Sequence, residues 1–173
     1  MAPLVVLTAS FLILRALGAL GVRPLRSTIL CLRVALAAMF LLTASAHFDG
    51  KRQDLVRMVP PGFPHPELLV TLTGLAEIAG AIGLLVPRLA PFAAGGLALL
   101  LLALFPANVH AAREGLTIGG RPVLPILSRA LVQLVFLAAV LAAGFWGRRR
   151  GAAVARAARD EQAASHAARS SHV

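Results

Sequence analysis

Five long apolar stretches constrain the fold of this chain more than any other feature. Each is close to the ~20 residues that an α-helix needs to cross the hydrocarbon core of a bilayer. With 58% hydrophobic and only 14% charged residues, the chain lacks the polar side chains that would cover a soluble domain. We therefore expect an all-α integral membrane protein with five spanning helices. The stretches are Pro3–Val22, Thr28–Phe48, Glu67–Val86, Leu89–Ala112 and Val123–Trp146.

The stretches divide the chain into three parts. Residues 1–24 are expected to form an N-terminal hydrophobic helix, because Met1 to Pro3 carry no basic side chain and do not resemble the start of a secretory signal. Residues 25–146 are expected to form an antiparallel four-helix transmembrane bundle. Residues 147–173 form a basic tail rich in alanine and arginine, to which no site is assigned.

The formal net charge of +10 indicates topology rather than nucleic-acid binding, because the arginines lie at the ends of apolar stretches and in the tail. The connections on the C-terminal side hold nine Lys and Arg, and those on the other side hold five. The positive-inside rule then places the C-terminus in the cytoplasm. Because sixteen arginines accompany a single lysine, we infer a GC-rich bacterial genome. Together with the five apolar stretches, this predicts a multi-pass protein of the bacterial inner (plasma) membrane.

The connection Asp49–Pro66 is expected to cover the outer mouth of the bundle. It contains Pro60, Pro61, Pro64 and Pro66, and proline lacks a backbone donor and fixes φ. Residues Lys51–Val59 are expected to form a short interfacial helix, and the proline-rich part an extended cap. Further on, Pro106 is expected to break the hydrogen bond to the Leu102 carbonyl and to kink the fourth stretch.

Glu77 is the strongest functional candidate, because it lies ten residues inside an apolar stretch, near the middle of the bilayer. A charged group there costs roughly 2.5–3.5 kcal/mol on insertion scales, so the carboxyl needs a proton or a partner. Arg129 is the expected partner, either in a structural salt bridge or in a catalytic pair with Glu77. Arg33, near a helix end, is expected to extend to the headgroups instead.

Other polar residues are expected in the same half of the membrane. His47 and His110 lie at similar depth, where they are suited to ligate haem or a metal or to bond a quinone carbonyl; the alternative is that they are solvated. With Glu77, Asn108, Arg129 and Gln133, they make up the predicted cofactor site. The single cysteine, Cys31, has no second cysteine with which to form a redox pair within the chain.

Small residues at a spacing of four occur on the third stretch. Ala76 and Gly80 form one pair, and Ala79 and Gly83 form another. Such pairs allow a neighbouring helix to approach closely in a membrane. The alternative is that they only reflect a composition rich in alanine and glycine.

Several motifs, taken in order, resemble the DoxX family of small bacterial membrane proteins over roughly Leu25–Trp146. Gln133 ends the last motif, in which Leu131 stands where the family usually has proline. The motifs are Val59-Pro-Pro, Pro64-His-Pro-Glu-Leu-Leu-Val, Gly74-Leu-Ala-Glu-Ile-Ala-Gly, Gly83-Leu-Leu-Val-Pro-Arg, Phe105-Pro-Ala-Asn-Val-His and Arg129-Ala-Leu-Val-Gln. The resemblance implies a four-helix membrane bundle and an association with membrane redox systems, but no defined reaction.

Three functions agree with these features. The first is a redox-associated membrane subunit that binds a quinone or docks a membrane or peripheral redox partner protein. Quinone is favoured over haem as the cofactor. The second is a non-enzymatic scaffold or assembly factor, in which the polar residues only fix helix packing. The third is a pathway for a small solute or for protons, in which an intramembrane carboxyl is a common component.

The topology is tested with reporter fusions made after Val59 and after Arg150. Because of the nine-to-five bias of basic residues, the Val59 fusion is expected to report the outer side and the Arg150 fusion the cytoplasm. A cytoplasmic signal from the Val59 fusion would contradict the predicted orientation.

Overall fold

The computed structural model describes residues 2–146, and its architecture is helical apart from one short hairpin. In chain order the elements are α1 (Ala2–Ala19), α2 (Thr28–Ser45), α3 (Arg52–Met58), α4 (Pro66–Leu85), α5 (Ala90–Ala103), α6 (Phe105–Arg113), β1 (Thr117–Ile118), β2 (Arg121–Pro122) and α7 (Ile126–Leu141). A 3-10 turn, Arg23–Arg26, precedes α2, and a wide π-helical turn, Ala142–Trp146, extends α7. The predicted basic tail lies outside the described residues.

Five helical segments are long and apolar enough to span a membrane, as expected from the sequence. They are α1, α2, α4, the combined segment Ala90–Arg113 and the combined segment Ile126–Trp146. Their bounds differ from the predicted stretches by a few residues. The prediction of an all-α membrane protein is confirmed at this level.

Successive spans run in opposite directions, so the connections gather at two ends. At one end lie α3, the proline-rich connection before α4, and the β1–β2 hairpin; we call it the capped end. The other holds the α1–α2 connection, the α4–α5 turn at Pro87 and Arg88, and the final turn of α7; we call it the basic end.

Helix α2 is central in the core. It packs chiefly against α1 and α4, while α5 packs against α4 and α7. The core cluster combines Phe40 of α2, Leu84 of α4, Leu97 of α5 and Val140 of α7 with Leu7 of α1. The N-terminal helix is therefore part of the same packed core as the rest of the described chain.

Glycine allows α4 and α5 to approach each other closely. A Cβ atom added at Gly80 would lie 2.4 Å from the Leu97 side chain, and one added at Gly83 would lie 2.7 Å from the Ala93 Cβ. Ala76 and Ala79, in contrast, are exposed. The glycine half of the predicted small-residue pattern thus forms a helix contact, which favours the packing interpretation over composition alone.

The predicted break before Pro106 is present. Helix α5 ends at Ala103 and α6 begins at Phe105. The Leu104 amide still donates to the Leu100 carbonyl at 2.9 Å, but Pro106 has no amide hydrogen to continue the helical pattern.

The capped end agrees with the sequence only in part. Helix α3 forms where a short helix is expected, but the proline-rich connection is not extended. It turns instead, with the Phe63 amide donating to the Pro60 carbonyl at 3.1 Å, and His65 adopts a positive φ of 53° immediately before α4. Gly62 within the turn and His65 together reverse the chain, which a count of prolines does not reveal.

The β1–β2 hairpin is absent from the sequence-based expectations, although the sequence carries its signal. Gly119 and Gly120 both have positive φ, 58° and 74°, as a two-residue hairpin turn of the primed type requires. The Gly119 amide donates to Asp54 Oδ2 at 2.7 Å, and Arg57 also bonds this carboxylate. The bond from Gly119 is the main cause that lowers the pKa of Asp54, followed by Arg57. This link between α3 and the hairpin is therefore lost only as pH falls through the lowered pKa.

Two glycine-to-alanine substitutions test the α4–α5 contact. Gly80→Ala is expected to lower stability by about 1–3 kcal/mol, because the added methyl group overpacks against Leu97. Gly95→Ala in α5 is the matched control. Nothing lies within 4 Å of its Cβ position, so it is expected to be neutral or stabilising by up to ~1 kcal/mol. Thermal unfolding in detergent measures both, and equal effects would contradict the close contact.

Candidate functional site in the membrane core

Glu77 lies at the middle of α4, on the face that packs against the other helices. The residue is only 5% exposed, and its Oε2 lies 2.6 Å from the Thr43 hydroxyl of α2. The buried face of α4 also holds Val70, Gly74 and Leu84 at helical spacing. The carboxyl group is therefore a constituent of the α2–α4 interface.

The Thr43 hydroxyl has two acceptors within reach but only one hydrogen. Besides Glu77 Oε2, it lies 3.0 Å from the Phe40 carbonyl. If Glu77 is ionised, Thr43 donates to the carboxylate. If Glu77 is protonated, its own O–H donates to Thr43, which donates to Phe40. The arrangement accommodates both protonation states without rearrangement of heavy atoms.

The second carboxyl oxygen, Glu77 Oε1, has no hydrogen-bond partner among residues 2–146. In the same part of the chain, no fully buried side-chain nitrogen or oxygen lacks a partner. Oε1 is therefore not fully buried, and it forms no hydrogen bond with any of the described residues.

His47 lies just beyond the end of α2, four residues after Thr43, and is 7% exposed. Its Nδ1 is 3.1 Å from the Thr43 carbonyl, which can only accept, so Nδ1–H donates and Nε2 is left as an acceptor in the neutral ring. We call Thr43, His47 and Glu77 the Glu77 cluster.

Close approach of α2 and α4 at this point depends on Gly74. A Cβ atom added there would lie 2.7 Å from the Cβ of His47 and 3.0 Å from the Phe48 ring. Any side chain at position 74 would therefore displace the end of α2 and with it the Glu77 cluster.

Arg52 of α3 covers this cluster at the capped end, a role that the sequence does not predict. Its Nη1 donates to the His47 carbonyl at 3.0 Å. Its Nη2 donates to the Glu67 carbonyl at 3.1 Å and to the Thr71 hydroxyl at 2.9 Å. One guanidinium thus joins the end of α2 to the start of α4, using the fork of donors that distinguishes arginine from lysine.

A second group of polar side chains joins α5, α6 and α7. Arg129 Nη2 donates to Asn108 Oδ1, Asn108 Nδ2 donates to Gln133 Oε1 at 3.2 Å, and Gln133 Nε2 donates to the Leu101 carbonyl at 2.7 Å. This carbonyl lies in the last turn of α5, just before the break, where backbone acceptors lose helical partners. We call Arg129, Asn108 and Gln133 the Arg129 cluster.

The expected ion pair between Glu77 and Arg129 is wrong for the described chain. Glu77 faces Thr43 on α2, whereas Arg129 turns towards α6 and bonds Asn108. Within residues 2–146 the ion pairs are Lys51–Asp49 and Arg57–Asp54, both at the capped end. Glu77 is buried and Arg129 is half-buried, but their partners differ from the expected ones.

His110 and Arg33 lie outside both polar clusters. His110 is half-buried on α6 and makes no side-chain hydrogen bond to a described residue. In the part of the chain described, no three His, Cys, Asp or Glu side chains group so as to hold a metal ion. Arg33 does not simply extend to the headgroups, because its Nε donates to the Ala143 carbonyl at 2.9 Å and ties α2 to the final turn of α7.

A groove of about 400 Å³ lies along α4 and α5. It is lined by small and apolar residues, including Ala76, Ala79, Gly83, Phe92 and Gly96. None of the predicted site residues lines it, so this groove is separate from both polar clusters.

A pair of double-mutant cycles tests the division into two clusters. Because Arg129 bonds Asn108, the losses from Arg129→Gln and Asn108→Ala are expected to be non-additive by about 0.5 kcal/mol or more. Glu77→Gln and Arg129→Gln are expected to add within about 0.5 kcal/mol. Thermal unfolding in detergent gives both cycles. A larger coupling for Glu77 with Arg129 than for Asn108 with Arg129 would contradict the observed bonds.

Comparison with known proteins identifies a family to which the chain is similar. The family model for a domain of unknown function (DUF8561) matches residues 36–144. No curated protein and no solved structure matches the chain. The match covers more than half of the 173 residues and includes both polar clusters, while α1 precedes it. The chain belongs to the DUF8561 family.

Proposed function

We propose that this chain is a redox-associated integral membrane subunit in which the Glu77 cluster binds the headgroup of a quinone. The observation that carries the proposal is the free Oε1 of a carboxyl group that is otherwise enclosed: the residue is 5% exposed, and Thr43 is its hydrogen-bond partner. A few placed polar groups in apolar surroundings are typical of sites for such ligands.

The residues of the cluster suit a quinone chemically. Glu77 protonated on Oε1 would donate a hydrogen bond to a carbonyl oxygen of the quinone, while Thr43 continues to donate to Oε2. His47 Nε2 is an acceptor for a hydroxyl group of the reduced form. A quinone would supply two-electron, two-proton redox chemistry when bound, with the electrons exchanged with a redox partner protein.

The wider setting of the proposal follows from the resemblance to the DoxX family and from the charge distribution. We place α2, α4, the α5–α6 segment and α7 as an antiparallel four-helix bundle, with α1 as an additional helix against α2. The basic end and the C-terminus would face the cytoplasm from a bacterial inner membrane. The capped end, with the Glu77 cluster beneath Arg52, would then face the outer side.

A non-enzymatic scaffold or assembly factor is the second candidate, and the Arg129 cluster favours it. Each of its three side chains bonds another member or a backbone carbonyl, as expected for a network that only fixes helix packing. Such interhelical bonds in membranes contribute on average roughly 0.6 kcal/mol each. This cluster explains helix positions without any ligand.

Quinone binding is tested by thermal unfolding of the detergent-purified protein with a short-chain ubiquinone or menaquinone analogue. The wild type is expected to show a higher unfolding midpoint with the analogue, since a ligand that binds the folded state stabilises it. Glu77→Leu, which has neither a donor nor an acceptor in place of the carboxyl group, is expected to abolish most of this rise. Glu67→Leu is the matched control, because Glu67 is an exposed acid in the first turn of the same helix.

The outcome separates the two candidates. A rise that survives in Glu67→Leu and is lost in Glu77→Leu supports the quinone proposal. No rise with either analogue, together with no quinone in a lipid extract of the purified protein, would overturn it and favour the scaffold. An equal loss in both variants would place the binding elsewhere.

A further inference from the structure

The basic end carries uncompensated positive charge. Arg15, Arg23, Arg26, Arg33 and Arg88 all lie there, and no described acidic residue does. The described acids other than Glu77 are Asp49, Asp54, Glu67 and Glu114, and all of them are at the capped end. Among residues 2–146, the two ends therefore differ in the sign balance of their side chains and not only in the number of arginines.

Several cations at the capped end are bonded to other residues, whereas three at the basic end are not. Lys51 and Arg57 pair with aspartates and Arg52 donates to three acceptors, although Arg113 and Arg121 are exposed there. At the basic end Arg23, Arg26 and Arg88 are exposed, and their side chains have no hydrogen bond to any residue in the 2–146 range. Their guanidinium groups are available to an anion outside the protein.

The connection that carries Arg23 and Arg26 is held in place by α1. Arg15 Nη1 donates to the Leu25 carbonyl at 3.3 Å and to the Arg26 carbonyl at 3.0 Å. A Cβ atom added at Gly18 would lie 2.2 Å from the Leu25 carbonyl oxygen, so α1 and the connection touch directly. Because this 3-10 turn is already fixed, binding an anion there costs less ordering than on a free chain.

The position of this turn identifies the anion. Helix α1 ends at Ala19 and α2 begins at Thr28, so the turn lies where two spanning helices leave the hydrocarbon core. Lipid headgroups occupy that depth, and basic clusters next to spanning helices attract anionic lipids. We propose that Arg23 and Arg26 form a binding surface for anionic phospholipid headgroups. The proposal is independent of the quinone site.

The test compares lipids by thermal unfolding of the full chain in a neutral detergent. Phosphatidylglycerol is expected to raise the unfolding midpoint more than phosphatidylcholine does, and added salt is expected to reduce the difference. In Arg23→Gln/Arg26→Gln the phosphatidylglycerol needed for half of the rise is expected to increase about five-fold for each arginine removed. Arg23→Lys/Arg26→Lys keeps the charge and is expected to retain most of the binding.

Controls separate a headgroup surface from general charge. Arg113→Gln/Arg121→Gln removes two exposed arginines of the capped end and is expected to leave the requirement for phosphatidylglycerol near that of the wild type. Inorganic phosphate alone is expected to produce no comparable rise. Equal midpoints in the two lipids, equal losses in the two glutamine double variants, or an equal rise with phosphate would each overturn the proposal. The midpoints without lipid show that every variant folds.

Discussion

Inside a membrane every polar group must find its partner within the protein, and most of the specific contacts described above follow from this constraint. Thr43 forms a hydrogen bond with Glu77. Gln133 donates to a carbonyl at the end of α5, and Arg33 donates to a carbonyl in the final turn of α7. Each contact joins two different spanning segments. Satisfying the polar groups thus also sets the order in which the helices pack.

Close packing supports these bonds, because lipid provides no hydrophobic drive for helices to associate. Gly74, Gly80 and Gly144 lie where a neighbouring helix leaves no room for a methyl group: a Cβ would come within 2.7 Å of His47, 2.4 Å of Leu97 and 2.4 Å of Ala94, respectively. The first of these contacts sets the separation of α2 and α4 beside the Glu77 cluster. The geometry of that cluster therefore depends on residues that carry no polar group.

The sequence predicts features that depend on helix length and periodicity, and the helix break at a single proline. The five spans, helix α3 and the break at Pro106 fall in this class, as does the burial of His47, Glu77 and Gln133. The partners could not be predicted in the same way. A helical period gives the face and depth of a side chain, but the neighbour it meets depends on how each helix is rotated about its own axis. Glu77 and Arg129 have suitable depths and still bond different helices.

Two further features were missed for different reasons. The hairpin has a local signal in Gly119-Gly120, because two consecutive glycines between short runs of strand-forming residues are typical of a two-residue hairpin turn. The role of Arg52 has no such signal, because its acceptors, the His47 and Glu67 carbonyls and Thr71, are brought together only when α3 folds back over α2 and α4. A sequence pattern does not show which distant groups a half-buried arginine will contact.

Asp54 has a mechanical consequence for the capped end. Its carboxylate fastens the hairpin to α3, and Arg52 on the same short helix fastens α3 to the backbone of His47. The hairpin, α3 and the end of α2 are therefore linked in series, so a force or a binding event at the hairpin is transmitted through α3 to the helix end that carries Thr43 and His47. The last link of this series, from Arg52 to the His47 carbonyl, ends within the Glu77 cluster.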